Sequence, residues 1–595
     1  MANFLLDNKD ILFHLDHMDL DRIIRLREDD FAEKDAYPHA PADAADAADS
    51  YRKVLELVGE LCGEELAPRA AAIDEEGVRL EHGEVRYARG TAEVLDLFAK
   101  ADLMGFCLPR AYGGLNCPTT ILTIAAEMVS RADGSFLNFG LQQDIGETLN
   151  KFGSEEQKAR VLPVLARGFE GSSMILTEPD AGSDLQSVTL KATQDGAGNW
   201  KLNGVKRFIT NGCGKYGLVL ARSEEASKGA GGLSFFLYER DEHMVIRRLE
   251  NKLGIHGSPT CELQFNDAPA TLVGERRRGL IKYTMWLMNS ARLGIAAQAV
   301  GIAEAAYREA AKYANERIQF GVPIASLPPV YEMLTEMRVA IEAGRSLLYE
   351  TARFVDLKEG LEHAGELHPE RSADLRAELK KYSRLASLFT PLVKAYNTEM
   401  ANKVAYDAIQ IHGGPGYMKE FSVERHFRDA RITNIYEGTT QLQVVAAIGG
   451  ITSGAATAVF DEYEASAEAE VAAEAEGYTH VGELFGQVKR ARNMTEKALV
   501  HLKGLEDEEL VTYHGRRLVE MTTGVIQGYL LLRDAAQEAA RKPAQDAARP
   551  AGDDRKRRVA EIFIKKMAVT VEAHMNFIVS EDQALMKNYR AVLEA

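Results

Sequence analysis

Apolar residues recur at three- and four-residue steps from Tyr51 onward, where Val54, Leu57, Val58 and Leu61 open a helical region running to about Phe169. The pattern breaks at Leu108-Pro109-Arg110-Ala111-Tyr112-Gly113-Gly114, whose proline and paired glycines predict a loop. Between Ser173 and about Leu272 the period changes, and short β-rich runs alternate with turn residues. Leu218-Val219-Leu220 and Leu233-Ser234-Phe235-Phe236-Leu237 predict strands, with Ser223 to Gly232 as a polar loop between them. Trp200-Lys201-Leu202 followed by Asn203-Gly204 predicts a hairpin turn.

Helical spacing returns from about Gly279 to Gly450, where Met333, Met337, Ile341 and Leu347 suit one buried face. Within it, the charged, proline-bearing stretch Leu357 to Arg376 predicts an exposed connection. A further helical region follows Gly449-Gly450. Ala465 to Gly477 is Ala/Glu-rich, and Leu484, Val488, Ala491, Ala498 and Leu502 share one helix face. Val519 to Leu532 and Val559 to Val579 predict two more helices, joined by the proline-containing, basic loop Lys542 to Arg558. Residues 1–50 end in the Ala/Asp-rich Ala40 to Asp49 and predict an extension plus linker.

This order of helical, β, helical and helical regions disfavours a parallel Rossmann sheet, which needs strands and helices to alternate. A GxGxxG spacing at Gly212, Gly214 and Gly217 runs into the predicted strand Leu218-Val219-Leu220 and opens no helix, so it lacks the context of a dinucleotide fingerprint. The chain contains no GxxxxGK[ST] motif.

Composition narrows the picture further. With 595 residues, 46% hydrophobic and 27% charged, the chain has ample material for large cores. Its 89 acidic and 71 basic residues give a net charge of −18, which argues against a nucleic-acid binder. Cys62, Cys107, Cys117, Cys213 and Cys261 are scattered with no CxxC pair, predicting free thiols in a reducing compartment. The start of the chain lacks the features of a signal peptide, and no apolar run approaches the ~20 residues of a membrane span. The expected location is cytoplasmic. No metal-ligand cluster is visible, since His14 and His17 lack an obvious third ligand.

The chemistry-bearing segments form a series. Thr177-Glu178-Pro179-Asp180-Ala181-Gly182-Ser183-Asp184 opens the β-rich region, and Lys206-Arg207-Phe208-Ile209-Thr210-Asn211-Gly212 follows it. Glu316-Arg317-Ile318-Gln319-Phe320-Gly321 sits after a helix. Gln410-Ile411-His412-Gly413-Gly414-Pro415-Gly416-Tyr417 and Arg428-Asp429-Ala430-Arg431 lead to Ile435-Tyr436-Glu437-Gly438-Thr439-Thr440-Gln441. In order and spacing these resemble the signature segments of the acyl-CoA dehydrogenases, over roughly Tyr51 to Gly450.

The resemblance implies an α+β fold with an N-terminal helical domain, a central β-domain and a C-terminal four-helix bundle, followed here by an extra C-terminal helical domain. The expected bounds are 1–50 for the extension, then 51–172, 173–275, 276–450 and 455–595. Both terminal additions resemble the large bacterial branch that includes the 3-methylmercaptopropionyl-CoA dehydrogenases, and the layout of very-long-chain enzymes. In such members the extra helices resemble a cover over surfaces that smaller members use to form tetramers, which favours a homodimer. The basic run Arg555-Lys556-Arg557-Arg558 reads as a solvated face, with lipid headgroups as the alternative.

The implied activity is FAD-dependent dehydrogenation of an acyl-CoA to its trans-2-enoyl-CoA, with electrons passing to electron-transfer flavoprotein. Glu437 matches the catalytic base. Its backbone N–H and a flavin ribityl hydroxyl would polarise the thioester carbonyl. Without that chemistry Glu437 would be a loop carboxylate beside a helix start at Gly438-Thr439. Some members carry the base just before the arginine that matches Arg292, but here that residue is Ala291, which strengthens Glu437.

Thr177, Ser183, Phe208 and Thr210 match flavin-side positions, and Phe208 replaces a common Trp. The bland alternative for Phe208 is a strand-core residue. Arg317, Gln319 and Phe320 match a segment that reaches a neighbouring subunit's FAD, where arginine suits a pyrophosphate. Gln410 and Gly414 match the adenosine end, and Thr439 and Gln441 match further FAD contacts or, more simply, helix capping. Ser183, Asn289, Arg292 and Gly438 are the expected substrate-side residues. His256 reads as a turn or packing residue. The acyl group stays open among fatty, methylthio-propionyl and cyclic or aromatic-derived chains. An acyl-CoA oxidase and a non-catalytic flavoprotein of the same fold are the alternative functions, the latter disfavoured by the acidic balance.

Overall fold

The computed structural model describes residues 2–141, 143–168, 170–473, 479–540 and 554–594. The expected succession of regions is present: helices to Arg167, strands from Ser172 to Leu272, long helices from Met285 to Thr452, and more helices to Leu593. Of the sequence expectations, the end of the Ala/Glu-rich stretch at 474–477 and the 542–553 part of the proline-containing loop fall outside the described residues.

The β-region closes on itself. Tyr216–Arg222 pairs with Leu233–Glu239, which pairs with Thr260–Leu272, then Trp200–Thr210 and Lys191–Gln194, and Lys191 returns to Arg222. Ser172–Ile175 and Met244–Leu249 flank this ring. Closure leaves few unpaired edges, and alternate side chains fill the interior, including Leu202, Val219, Phe236 and Phe265. Asn203-Gly204 is not the hairpin turn. It lies within Trp200–Thr210, opposite an extra residue in the Asn266–Asp267 pair, and Asn203 exchanges two 2.9 Å bonds with Asp267. The turn lies just before it, where Asp195 N–H donates to Asn199 O and Gly198 takes φ +90°. A bulge and a turn draw on the same residue types, so the dipeptide alone did not separate them. A second bulge sets Arg207 and Phe208 against one residue of the partner strand. Phe208 has φ +61° and is 52% exposed, so it is no strand-core residue.

The bundle comprises Met285–Glu316, Pro328–Leu367, Ser372–His412 and Thr440–Thr452, with Thr119–Ala132 packed against the first of them. Gly301 permits that crossing, because a Cβ there would meet the Glu127 carbonyl. Leu357 to Arg376 is an exposed connection only at its centre, from 366 to 374 around the turn Pro369–Arg371. Before it the helix Pro328–Leu367 runs on, burying Leu357, Leu361 and Ala364 against Ile23 and Leu26, with Leu375 on the next helix. Residues 1–50 are likewise not an extension and linker. Lys9–His17 and Asp21–Arg27 are packed helices with Ile11, Phe13, Ile23 and Ile24 buried, and the Ala/Asp-rich stretch starts the helix Ala44–Glu60. The buried face of that helix is Tyr51, Leu55 and Val58, and Leu57 is exposed. Met337, Ile341 and Leu347 are buried as expected, as are Leu484, Val488, Ala491, Ala498 and Leu502.

A buried ionic cluster joins these parts. The Arg345 side chain is fully buried and donates to Asp10, to Glu127 at 2.6 and 2.9 Å and to Glu304 at 2.9 Å. Lys556, also fully buried, pairs with Asp10 and lies 3.3 Å from Glu342 and 3.7 Å from Asp534. Arg555 pairs with Asp10 and Glu342. The start of the basic run is therefore an internal staple, not a solvated or lipid-facing surface, although Arg558 does face solvent. The five cysteines are free. Among the described residues no single helix is long and apolar enough to cross a membrane. One bent pair, Thr440–Thr452 with Ala455–Ala469 at 72°, has the composition to do so, but buries Val444, Ala447, Ile451, Val459 and Phe460.

Burial pushes the Asp10 carboxyl up, but Lys556 and Arg345 outweigh that and hold it well below the usual range. Burial of Glu304 is likewise outweighed by Arg338 and Arg345. A depressed carboxylate contributes stability that is complete above about pH 4 and is lost as pH falls through the folded-state value. Lys556→Met leaves carboxylates buried with one cation fewer, and should cost about 3–5 kcal/mol in urea unfolding at neutral pH. The difference from wild type should shrink on acidification.

Candidate active site

The loop Asn434–Thr439 joins Val423–Thr433 to Thr440–Thr452, and Glu437 lies within it. Two consecutive residues take left-handed backbone conformations, Glu437 at φ +54° and Gly438 at φ +88°. Glycine adopts this freely and glutamate does not, so the surroundings must hold Glu437 there. Buried Lys394 of Ser372–His412 donates to Tyr436 O at 3.0 Å and Gly438 O at 2.6 Å, one carbonyl on each side of the glutamate. Gln443 Nε2 donates to Gly438 O at 2.9 Å and Glu437 O at 3.3 Å. The Tyr436 hydroxyl donates to buried Gln298, whose amide reaches Gly134 O at 2.7 Å and Asn138 Oδ1 at 3.1 Å. Thr439 caps the following helix, accepting from Leu442 N–H, so the capping reading holds for it. With the carbonyls of residues 436–438 taken, no acceptor among the described residues meets the Glu437 N–H.

Glu437 faces a cavity of about 110 Å³ between the β-region, Thr119–Ala132, Asp144–Phe152 and Met285–Glu316. Thr210 lines the same cavity. Burial raises the Glu437 carboxyl above its usual value, while Lys394 and then Arg292 limit the rise. Burial lowers Lys394 to about 8. Arg292 is buried rather than superficial, donates to Asn289 Oδ1 at 3.0 Å, and lies beside Gly438. Asp144 shares the cavity, and burial followed by the Glu437 charge pushes it up to about 7. A larger apolar cavity of about 420 Å³, between the bundle and the C-terminal helices, contains none of the residues expected from the sequence at the active site.

Thr177 lies two residues beyond the strand Ser172–Ile175, and its carbonyl accepts from Arg207 N–H at 2.9 Å. The loop after it is anchored by Glu178, which accepts from Thr189 and Leu190 N–H and pairs at 3.0 Å with buried Lys206. Ser183 is exposed on this loop. The bulge turns Phe208 outward beneath the Arg207 guanidinium, 4.6 Å from the ring centroid. Gln441 is exposed on the first turn of Thr440–Thr452.

Arg317, Gln319 and Phe320 occupy an exposed hairpin whose tip, Phe320-Gly321, has φ +52° and +81°, and Phe320 is 92% exposed. Its root meets the Gln410–Gly414 segment through Tyr313 and His412, stacked at 4.3 Å. Neither set lines the Glu437 cavity of its own chain. Gly414 is exposed, and a Cβ there would meet nothing, which leaves room for a ligand to approach its backbone. His256 is a turn residue, with Nδ1 2.9 Å from Asp74. Among the described residues no group of His, Cys, Asp and Glu could hold a metal.

Four family models match the chain: the acyl-CoA dehydrogenase N-terminal domain at 48–169, its middle domain at 173–268, its C-terminal domain at 278–448, and the acyl-CoA dehydrogenase C terminal at 469–583. The chain belongs to the acyl-CoA dehydrogenase family. It is an oxidoreductase of the FAD-dependent type that dehydrogenates acyl-CoA thioesters. It is 38% identical to the 3-methylmercaptopropionyl-CoA dehydrogenase of Ruegeria pomeroyi over 427 residues, covering 67% of this chain and 70% of that one. The butyryl-CoA dehydrogenase structure from Megasphaera elsdenii matches with a TM-score of 0.58 at 30% identity, over 68% of this chain and 98% of that one. An acyl-CoA dehydrogenase complexed with FAD from Bacillus anthracis extends the fold match to 91% of this chain and 90% of its own, with a TM-score of 0.73 at 23% identity. The exposed Phe208 ring, the Thr177 and Thr210 positions and the open backbone at Gly414 fit a flat dinucleotide cofactor such as FAD.

Sequence reasoning did not find Lys394, Gln298, Asn138 or Asp144. Each lies within or beside ordinary helical pattern, and only an unusually polar residue on an apolar face could have signalled it. Lys394→Met should raise the pKa governing the acid limb of kcat/KM, because it removes a cation from Glu437. It should also lower kcat about tenfold or more, at about 1.5–3 kcal/mol for each charged hydrogen bond lost. Lys394→Arg should restore much of the pH profile, which a purely structural role would not require.

Proposed function

We propose that Glu437 is the base that removes the α-proton of an acyl-CoA, and that its own N–H binds the thioester oxygen. The observation that carries this reading is a carboxylate raised by burial and lining a cavity, on a loop whose neighbouring carbonyls are all engaged while its N–H meets no acceptor among the described residues. The raised pKa of Glu437 makes it a stronger base, and the free N–H offers a fixed dipole where negative charge develops on the thioester oxygen. Lys394 and Gln443 keep carboxylate and N–H on one rigid loop, so proton acceptance and carbonyl polarisation act on the same bound thioester. Arg292, with Asn289, orders the helix facing the loop and keeps an uncompensated negative charge from building beside Gly438.

FAD, when bound, supplies the two-electron acceptor for the hydride leaving the β-carbon. Thr177, Ser183, Phe208 and Thr210 would hold its flavin side, and Thr439 and Gln441 would meet it from the bundle. Arg317, Gln319, Phe320, Gln410 and Gly414 would reach the cofactor of a second copy. The exposure of the Phe320 hairpin supports that assignment, and with it a homodimer as the minimal unit. Electron-transfer flavoprotein is the proposed acceptor and the cytoplasm the proposed location.

Glu437→Gln should keep FAD bound yet abolish anaerobic bleaching of the flavin by acyl-CoA. Bleaching at the wild-type rate would overturn the assignment of the base. Arg317→Ala should lose FAD on gel filtration while the chain stays folded, and full retention would remove this arm from the cofactor site.

A further inference from the structure

We infer that Cys213 and Cys261 form a peroxide-reactive dithiol next to the strand Trp200–Thr210, with Cys213 the thiol that is oxidised and Cys261 the thiol that closes a disulfide onto it.

Folding brings the pair together. Cys261 lies near the start of Thr260–Leu272, where it pairs with Ile209 of Trp200–Thr210. Beyond Thr210 the chain folds back over that pairing. Asn211 N–H donates to Pro259 O at 2.8 Å, Gly212 N–H to Ile209 O at 3.2 Å and Gly214 N–H to Asn211 O at 2.8 Å. Only glycine allows so close an approach at 212, since a Cβ there would stand 2.9 Å from the Cys261 Cβ. Cys213 comes next. Its side chain packs on the apolar cluster that contains Cys261, and the two thiols are hydrogen-bonded to each other.

Their surroundings give the two thiols different roles. Cys261 is fully buried and Cys213 only partly so, which lets an oxidant from solvent meet Cys213 first. The Cys213 Sγ is 3.5 Å from both the Tyr87 hydroxyl and Asn211 Oδ1, and the Arg240 guanidinium donates to the Cys213 carbonyl at 3.1 Å. The bond with Cys261 lowers the Cys213 thiol below its usual value. Burial opposes this, and Tyr87 and Arg240 assist it. The same bond and burial push Cys261 up. A nearby cation, partial exposure and thiolate character are what make a cysteine reactive. Cys62, Cys107 and Cys117 are buried, and burial raises each of them.

Hydrogen peroxide or an organic hydroperoxide supplies the oxidising equivalents. The Cys213 thiolate attacks one peroxide oxygen, the O–O bond breaks and hydroxide leaves, so that sulfur is oxidised to the sulfenic acid and peroxide is reduced. The Cys261 thiol then attacks that sulfur, the S–O bond breaks, and the hydroxyl leaves as water with the Cys261 proton. With hydrogen peroxide, two thiols and one peroxide become one disulfide and two waters. The new bond draws Cys213 toward Cys261 and away from Tyr87, whose hydroxyl also donates to Asn211. Thr210 and Phe208 lie just before this turn, so oxidation disturbs them as well. That consequence rests on their assignment to the flavin side, whereas the disulfide itself does not.

The test treats the FAD-loaded protein with hydrogen peroxide, alkylates the remaining thiols and maps the peptides by mass spectrometry. Two of the five thiols should be lost as a Cys213–Cys261 linked peptide, and dithiothreitol should restore both. Cys261→Ser should stop at a Cys213 sulfenic acid that dimedone traps. Cys213→Ser should lose no thiol at the same dose. A link between any other pair, or thiol loss at the wild-type rate in Cys213→Ser, would overturn the inference. So would direct conversion of wild-type Cys213 to the sulfinic acid without a link. Turnover should fall in step with linkage and return with dithiothreitol; full linkage at unchanged turnover defeats the effect on the flavin side. Glu437→Gln should link as readily as wild type, so a failed base assignment leaves this inference standing. Absence of the link in both proteins defeats this inference alone.

Discussion

The fold depends on a guanidinium with no access to water. Arg345 is fully buried and is satisfied by Asp10, Glu127 and Glu304, which come from the N-terminal segment, the N-terminal helices and the bundle. Lys556 and Arg555 extend the cluster into the C-terminal helices through Asp10 and Glu342. Removing such charges from water is expensive, and only a complete set of partners offsets the cost. Each segment therefore needs the others in place before its own charges are tolerable. The surrounding apolar packing is large but unselective, whereas this cluster admits one arrangement of the four parts.

The loop that carries Glu437 applies the same logic on a smaller scale. Lys394 is buried where a lysine is costly, and the carbonyls beside Glu437 make it tolerable. In return it holds a glutamate in a backbone conformation that glutamate would not otherwise keep. The same burial that lowers Lys394 raises Glu437, so one desolvated pocket strengthens the carboxylate's hold on a proton and secures its orientation. Gln298, Asn138 and Tyr436 brace the loop from the opposite side, which ties the Glu437 cavity to the interior of the bundle.

Much of this was legible in the sequence, for identifiable reasons. Helical and β regions were visible because their periods differ, and the motif segments were visible because they are contiguous. The errors arose where tertiary context overrode local composition. Ala40 to Asp49 has a linker-like composition, yet Tyr51 and Leu55 supply a core face that carries the preceding turns into a helix. Leu357 to Arg376 is rich in charge, but Leu357 and Leu361 meet the N-terminal helices, whose own composition reads as an extension. The two departures therefore share one cause. Arg555 and Lys556 looked like a surface run because their acidic partners are hundreds of residues away in sequence. Among the site residues, Glu437 and Thr210 meet in one cavity, but Lys394, Asp144 and Asn138 stand alone in the chain, and only folding brings them together.

The buried cluster also constrains how such a chain can change over generations. Asp10, Arg345, Asp534 and Lys556 lie in four separate stretches, and altering any one strands a charge in the others. Substitutions at these positions should therefore be inherited as a set. An early stop that removed the C-terminal helices would take away Arg555 and Lys556 and leave Asp10 with Arg345 and Glu342 with Arg338. A lineage that sheds this region is thereby favoured to replace those carboxylates, which couples the histories of the two termini of the chain.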